Sequence, residues 1–302
     1  MSTSAMKSGQ ASTGVAARRA FVRDLVKLTK PRIISLLLVT TLCAMLVAAK
    51  GHPNGWDVLW TMIGGYCSAG GANTINMWFD RDIDARMQRT TGRPVVAGGV
   101  SPTQALIFGL GLVLASTLIL GLLVNWLSSA MAALGLVLYV ALYTMWLKRS
   151  SIHNIVIGGA AGAVPPLVGW AAATGELTFG ALLMFAIVFF WTPPHFWALA
   201  LILTPDYAEA GVPMLPVIRG EAETRRQVLA WSVVMVGVTL LPYVAGVAGL
   251  VYLIGAALLG TAFIALAAIL FRKATLYWAR WTFHFSMLYL ALLFVAWVID
   301  AA

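Results

Sequence analysis

Three polar side chains stand four residues apart in the sequence: Asn76, Asp80 and Asp84. On a continuing helix they lie along one face, each about 40° round from the last, so two carboxylates and an amide oxygen point the same way. Such hard oxygen ligands suit Mg²⁺, which proteins typically hold with one or two carboxylates and substrate phosphates. The spacing therefore predicts a magnesium site. The alternative is a solvated helix end, in which the carboxylates pair with Arg81 and Arg86.

Basic residues flank this acidic segment and end a later apolar run. Arg89 and Arg93 follow the carboxylates, and Lys148 with Arg149 closes the run before position 150. A guanidinium can clamp phosphate oxygens in a bidentate fork, while an ammonium supplies a compact charge. These cations are therefore candidates for binding a diphosphate. Equally, each of them can serve only to set the orientation of the chain in a membrane.

Composition decides which elements carry these residues. The chain has 302 residues, of which 61% are apolar and 10% charged. A soluble domain carries roughly 45–50% apolar and about 25% charged residues, so this chain cannot cover a water-facing surface and is predicted to be an integral membrane protein. The net charge of +9 falls in the connections between apolar runs. It therefore indicates membrane topology, and no nucleic-acid partner is expected.

Apolar runs long enough to span a bilayer as helices of about 20 residues recur along the chain. They lie at roughly 32–50, 56–78, 103–124, 127–147, 152–173, 179–203, 228–246, 248–271 and 281–299. The predicted fold is all-α, a polytopic bundle of nine transmembrane helices. Residues 1–30 form a basic cytoplasmic tail, and 31–302 form a single transmembrane domain.

The distribution of cations predicts the orientation of the bundle. With nine spans, 19 of the 20 Lys and Arg residues fall on one side and only Lys50 on the other. The positive-inside rule then places the amino terminus in the cytoplasm. The two long connections, 79–102 and 204–227, lie on the same side, so we expect the chemistry there. Asn76 lies at membrane depth, where polar groups are costly and usually functional, which favours the metal site over the solvated helix end.

The acidic segment also carries a family resemblance. At the end of the second of nine helices, the Asn76, Asp80 and Asp84 pattern resembles the first Asp-rich motif of the intramembrane prenyltransferase superfamily, whose members move an isoprenoid from a diphosphate to an aromatic or tetrapyrrole acceptor. The longer segment 76–94, NMWFDRDIDARMQRTTGRP, resembles the haem O synthase branch. Segments 154–170, 191–201 and 206–217 fit the same branch in order, so the resemblance runs from about residue 25 to the last helix.

The resemblance implies a reaction and a set of donor-site residues. The farnesyl group of farnesyl diphosphate is transferred to a vinyl group of haem b to give haem O, with Mg²⁺ as cofactor. The implied catalytic residues are Asn76, Asp80, Asp84 and Lys148. The implied diphosphate contacts are Arg81, Arg89, Arg93, Lys148 and Arg149.

A second acidic segment departs from the superfamily pattern. Members with other acceptors usually carry a second Asp-x-x-x-Asp motif, whereas this chain has Asp206 followed by Ala210. Asp206 is expected to join Asp80 and Asp84 as a metal ligand, with Glu209 a weaker candidate. A second full metal cage is not expected.

The implied haem-binding residues are His195 and Tyr207. His195 follows Pro193 and Pro194 in an apolar run, roughly eight residues or about 12 Å from its end. A Pro pair interrupts the backbone hydrogen-bond ladder, which is tolerated within a membrane where it lines a cavity. The imidazole can ligate haem iron or bind a propionate. The other interpretation is a histidine satisfied by a neighbouring carbonyl.

The expected partners are farnesyl diphosphate, haem b and the membrane lipid. The chain is expected to cross the inner cell membrane several times, with its active-site loops on the cytoplasmic side. A complex with a haem A synthase, or self-association, is also compatible with the sequence. Two other functions stay open. One is prenyl transfer to a quinone precursor, and the other is non-catalytic haem transport or assembly.

Overall fold

The computed structural model describes residues 3–302, with side-chain surroundings from residue 16 onward, and each regular element in that range is helical. Lys7 of the predicted tail lies outside the described side chains. The first half contains α1 (Thr3–Thr29), α2 (Pro31–Ala48), α3 (Gly55–Phe79), α4 (Arg81–Asp84), α5 (Pro102–Leu123), α6 (Trp126–Val137), a π-helix (Leu138–Leu147) and α7 (Lys148–Ser150). The second half contains α8 (Asn154–Ala163), α9 (Pro165–Thr174), α10 (Phe179–Ile202), α11 (Thr204–Glu209), α12 (Leu215–Val244), α13 (Leu250–Lys273) and α14 (Leu276–Ala301).

The predicted all-helical membrane architecture is confirmed. Within the described residues, 8 helical segments are long and apolar enough to cross a membrane, counting α6 to α7 as one segment and α8 to α9 as another. Of the nine predicted spans, the one that is not among these eight is the second, which corresponds to α3 and has 25 residues. Its apolar character is diluted by Asp57, Asn73, Asn76 and several glycines. The count of nine spans and the cytoplasmic amino terminus stay predictions.

The sequence predicted a long loop at 204–227. This prediction was wrong, because most of the segment is helical. Helix α11 follows α10 almost directly, and α12 begins at Leu215 rather than near position 228. The segment is polar because it is an exposed helix surface. Glu221 pairs with Arg225 and Glu223 with Arg226, at the spacing that places side chains together on a helix. Gly220 bends the helix with a positive φ of 81°, a conformation that glycine adopts without steric cost.

Local sequence explains where several helices begin. Ser101 and Gln104 form a capping box at the start of α5, with Pro102 in the first turn. The Asn54 side chain accepts a hydrogen bond from the Trp56 backbone at the start of α3, and Asn125 does the same for Ser128 at the start of α6. These caps fix the ends of the helices that carry or support the site.

Helix α10 is the central element of the bundle. In the most apolar 18-residue stretch of α10, 61% of the residues are buried within the protein. The corresponding share for α5 is 22%, because its apolar side chains face outward. Helix α10 packs against α8, α12 and α14. Although it contains Pro193 and Pro194, the helix runs on through Ile202. His195 is therefore enclosed by neighbouring helices and does not face lipid.

Small residues bring α3 close to α5. A Cβ atom placed on Gly71 would lie 2.8 Å from the Gly109 carbonyl oxygen, and one on Gly109 would lie 2.9 Å from Ile75. Glycine at such contacts lets membrane helices approach closely. The packing holds the segment of α3 that precedes Asn76.

Candidate active site

Helices α3 and α4 place the two carboxylates as the spacing predicts. The Asp80 amide donates to the Asn76 carbonyl at 2.9 Å, and the Asp84 amide donates to the Asp80 carbonyl at 2.8 Å. The helical register therefore continues across the junction between the two helices. Asp80 is 0% exposed and Asp84 is 1% exposed. This burial excludes the alternative of a solvated helix end for these two carboxylates.

Each buried carboxylate is paired with a cation from another segment. The Lys148 ammonium lies 2.5 Å from an Asp80 carboxylate oxygen. The Arg93 guanidinium lies 2.5 Å from an Asp84 carboxylate oxygen. A carboxylate taken out of water without a partner would be strongly destabilising. In the free protein, Arg93 and Lys148, which were predicted as diphosphate contacts, thus contact the two carboxylates directly.

The π-helix supplies two aromatic rings and leads directly into Lys148. Such helices are rare and are often found at functional sites. Tyr139 and Tyr143 stack with ring centroids 5.9 Å apart and 14° between the ring planes. The Thr144 hydroxyl donates to the Tyr139 carbonyl at 2.8 Å. Lys148 follows the π-helix directly, so this segment delivers a cation and an aromatic wall together.

Asn76 orients Asp80 rather than presenting an oxygen alongside it. Its amide nitrogen donates to an Asp80 carboxylate oxygen at 2.7 Å and to the Thr144 hydroxyl at 3.2 Å. Its amide oxygen accepts from the Lys30 ammonium at 3.0 Å. The sequence pattern predicted an amide oxygen directed at the metal. In the structure that oxygen is engaged by Lys30.

Lys30 belongs to the site, although sequence reasoning counted it only as a topological cation. It directly precedes Pro31 and has a φ of 56°, which turns the chain between α1 and α2. Burial, followed by repulsion from Arg93 and Lys148, lowers the pKa of Lys30 from its usual value to about 7. The only sequence signal was a lysine immediately before the first apolar run.

The charges at this end of the bundle do not balance. We call it the polar end and define it by seven residues, Lys30, Asn76, Asp80, Asp84, Arg89, Arg93 and Lys148. Three cations, Arg89, Arg93 and Lys148, face two carboxylates, a net charge of +1. Protonation of Lys30, whose pKa is about 7, raises it to +2. Buried charge needs compensation. The polar end is therefore suited to an anionic ligand that carries more than one negative charge.

A cavity of about 410 Å³ links the polar end to an aromatic region deeper in the bundle. Tyr139 and Tyr143 also line it. We call the deeper region the aromatic end and define it by Trp191, His195, Phe283 and Ser286. Trp191, His195 and Tyr207 line the cavity itself. One cavity thus joins a charged compartment to an apolar one.

His195 is held firmly at the aromatic end. Its Nδ1 lies 2.5 Å from the Ser286 hydroxyl. The Trp191 and Phe283 rings stack on it, with centroids 4.1 Å and 4.8 Å away. The partner of the imidazole is a hydroxyl, whereas a backbone carbonyl was the alternative considered from sequence. Tyr207, 8% exposed, lines the same cavity.

Four residues predicted for the site do not line the cavity: Asp80, Arg81, Arg149 and Asp206. Asp80 contacts Lys148, which does line it. Arg149 binds both Asp82 carboxylate oxygens at 2.8 Å and reaches Asp80 at 3.4 Å. Its guanidinium holds the pKa of Asp82 at about 2. Arg81 is exposed and donates to the Trp78 carbonyl at 2.6 Å. Asp206 lies on α11, and the described residues contain no group of three His, Cys, Asp or Glu side chains placed to hold a metal.

Comparison with known proteins identifies the class. The model of the UbiA prenyltransferase family matches residues 37–293, and the chain belongs to this family. A curated Protoheme IX farnesyltransferase from Symbiobacterium thermophilum is 53% identical over 281 residues, 92% of this chain and 94% of that protein. Another from Chloroflexus aurantiacus is 52% identical over 282 residues. The aligned residues cover 93% of this chain but only 48% of the Chloroflexus protein. This chain therefore spans about half the length of that relative. The predicted membership of the superfamily is confirmed.

Solved structures share the fold at low sequence identity. A structure described as giving insights into the biosynthesis of digeranylgeranylglyceryl phosphate synthase in membranes has a TM-score of 0.77 and 18% identity, covering 93% of this chain and 98% of that chain. A UbiA homolog from Archaeoglobus fulgidus bound to GPP and Mg²⁺ has a TM-score of 0.68 and 15% identity, covering 90% of this chain and 99% of that chain. At these identities the likeness establishes the fold alone.

Proposed function

We propose that this membrane enzyme transfers the farnesyl group of farnesyl diphosphate to a vinyl group of haem b, forming haem O. The observation that carries the proposal is the single cavity with two unlike ends. Its polar end has an excess of positive charge for a diphosphate, and its aromatic end has stacked rings and an imidazole for a porphyrin. The identity of the donor and acceptor follows the names of the relatives that are half identical to this chain.

The donor diphosphate binds at the polar end. As it enters, Lys148 and Arg93 move from Asp80 and Asp84 to the phosphate oxygens, with Arg89 and Lys30 nearby. The freed carboxylates are oxygen donors of the kind that Mg²⁺ prefers, so the donor set fits the metal. Asp206 is the third proposed ligand. When bound, Mg²⁺ supplies positive charge that stabilises the departing diphosphate.

The reaction then needs no strong nucleophile from the protein. The allylic C–O bond breaks with its electron pair on the diphosphate, which Lys148 and Arg93 stabilise electrostatically. The vinyl π electrons of the haem form the new bond to farnesyl C1 and leave a cation beside the porphyrin. Water adds to that carbon and loses a proton, giving the hydroxyl. The faces of Tyr139 and Tyr143 stabilise the allylic cation and keep water away until the carbon bond has formed.

The acceptor binds at the aromatic end, where His195 is the proposed haem contact. Tyr207, the other proposed haem contact, lines the same cavity and belongs to a buried cluster with Ile83 and Met87, in the segment between Asp80 and Arg93. The cavity is also lined by Tyr139 and Tyr143. A vinyl group at the edge of a bound porphyrin can therefore face the allylic carbon of a donor anchored at Asp80 and Asp84. This division assigns each substrate to one end of the cavity.

The location and organisation of the protein complete the proposal. The chain crosses the inner membrane with its polar end and amino terminus towards the cytoplasm, as the 19-to-1 distribution of cations favours. Residues 31–302 act as one transmembrane domain behind the tail formed by 1–30. Association with a haem A synthase would pass haem O onward without release, and self-association is the other proposed contact.

The test is a competition between acceptors. Purified protein in detergent is incubated with farnesyl diphosphate, Mg²⁺ and either haem b or 4-hydroxybenzoate, and the products are identified by mass spectrometry. We expect haem b alone to gain the farnesyl group and a hydroxyl group. Prenylation of 4-hydroxybenzoate instead would assign the chain to quinone synthesis. Haem binding without diphosphate release would make it a carrier.

A further inference from the structure

The hydrogen bonds of Ser286 determine which nitrogen of His195 carries a proton. The Ser286 hydroxyl donates to the Phe283 carbonyl at 2.6 Å. A hydroxyl has only one proton to donate. Towards His195 Nδ1, at 2.5 Å, the Ser286 oxygen must therefore accept. His195 Nδ1 is the donor in this contact.

The remaining ring nitrogen then carries a lone pair. In a neutral imidazole one nitrogen donates and the other accepts. In the part of the chain that the structure describes, His195 has no carboxylate partner, and its ring lies between aromatic rings, so the neutral form fits this surrounding. Nε2 has no hydrogen-bond partner among the described residues, and the His195 side chain lines the cavity.

Neighbouring contacts fix the plane of the ring as well as its proton. Two nearly parallel rings cannot share one face of an imidazole, so Trp191 and Phe283 cover its two faces. The Trp191 indole donates to the Ser286 carbonyl at 2.7 Å. Ser286 thus anchors both the imidazole and one of the rings stacked on it. The serine itself is 0% exposed.

We propose that Ser286 is a positioning residue that holds His195 as the Nδ1–H tautomer, so that Nε2 ligates the iron of the haem acceptor. This inference rests on the proposed function, because it takes haem as the substrate. A propionate requires a proton donor, which Nε2 in this tautomer is not. Iron requires a lone pair, which this tautomer supplies. A partner on the second ring nitrogen commonly sets the tautomer of a metal-binding histidine.

The experiment compares three variants of the full-length protein in detergent. Ser286→Ala removes the acceptor for Nδ1, whereas Ser286→Thr retains a hydroxyl. Ser232→Ala is the matched control, because Ser232 is also 0% exposed and donates to a backbone carbonyl at 2.6 Å, but on α12. Each protein is titrated with haem b, and the absorption and paramagnetic resonance spectra of bound ferric haem are recorded. Thermal unfolding, farnesyl diphosphate affinity and haem O formation are measured in parallel.

We expect Ser286→Ala to weaken haem binding by about 10- to 100-fold, the usual effect of losing such a second partner, and to alter the haem spectrum. Ser286→Thr and Ser232→Ala should keep the wild-type spectrum, and donor affinity should not change in any variant. A wild-type spectrum and haem affinity in Ser286→Ala would overturn the proposal while leaving haem O synthesis intact. If instead the spectrum changes as expected but the wild-type protein forms no haem O, the role of Ser286 stands and the proposed reaction fails.

Discussion

In the proposed function, the two ends of the cavity recognise their ligands by different physical means. At the polar end, Asp80 and Asp84 are buried, and each is already paired with a cation. A diphosphate can replace these pairings by charge alone. At the aromatic end, a single imidazole lies between two rings with one nitrogen held by Ser286. Recognition there depends on shape and on one directed lone pair. Substitutions at the two ends should therefore affect different substrates.

The largest expected effect is at the polar end. Asp84→Ala should reduce farnesyl transfer by about a thousandfold or more, because losing a metal ligand removes several kcal/mol of stabilisation of the leaving group. Turnover is measured with saturating haem b, and haem affinity by absorption titration. Haem affinity should stay at the wild-type value.

Asp82→Ala provides the matched control for Asp84→Ala. Asp82 is two residues away but exposed, and it pairs with Arg149 rather than facing the cavity. Its loss should change turnover by less than about threefold, as expected for an exposed ion pair. Comparable losses in the two variants would show that the whole segment, and not the buried carboxylate, is needed.

Removal of Mg²⁺ should abolish transfer in the wild-type protein to a similar extent. Purified enzyme is treated with a chelator and assayed before and after Mg²⁺ is restored. We expect activity to return with the metal and haem affinity to be the same in both states, since the metal serves the polar end only. Full activity in the chelated protein would refute the metal site.

Lys148 and Arg149 are adjacent in sequence but differ in what they face. Lys148 lines the cavity and contacts Asp80 at 2.5 Å, whereas Arg149 binds the exposed Asp82. Lys148→Ala should reduce kcat by about 100-fold, as is typical when one group that stabilises developing charge is removed. Arg149→Ala should cost less than about tenfold. Equal effects would restore Arg149 to the diphosphate contacts that the sequence predicted.

At the aromatic end, His195→Ala should weaken haem binding by about 10- to 100-fold and change the spectrum of bound haem. Affinity for farnesyl diphosphate should stay within about twofold of wild type. Absorption titration and donor binding by calorimetry separate the two effects. Loss of donor affinity in this variant would contradict the assignment of one substrate to each end.

The difference between the polar end and the aromatic end also explains which site residues could be predicted from the sequence. Asp80 and Asp84 are four residues apart, and local helical geometry is enough to place them on one face. The spans followed from apolar runs. His195 and Ser286 are 91 residues apart on α10 and α14, and only the packing of the bundle brings them together. Lys30 was missed for a related reason, because a lysine before a span is also a common topological signal.

The polar helix at 219–227 marks another limit of sequence reasoning. Its low hydrophobicity resembles a loop, and only the spacing of Glu221 with Arg225 hints at a helix. By contrast, α3 is a long helix whose polar side chains and glycines reduce its hydropathy. In both segments, the amino-acid composition reflects the surroundings of the helix, which are solvent for 219–227 and the polar site for α3. It does not indicate whether the segment is helical.

The smallest expected effect tests how Asn76 is oriented. The Thr144 hydroxyl accepts from the Asn76 amide at 3.2 Å and donates to the Tyr139 carbonyl on its own helix. Thr144→Val removes both contacts with little change in side-chain shape, and the loss of the acceptor is the one that reaches Asn76. One such hydrogen bond contributes about 1 kcal/mol, so kcat/KM for farnesyl diphosphate should fall by about fivefold. The loss should appear with the donor, as a higher KM for farnesyl diphosphate, while haem affinity stays unchanged. Thr117→Val is the control, because Thr117 donates to the Val113 carbonyl on α5, away from the cavity. A change in haem affinity in Thr144→Val would mean that the π-helix couples the two ends.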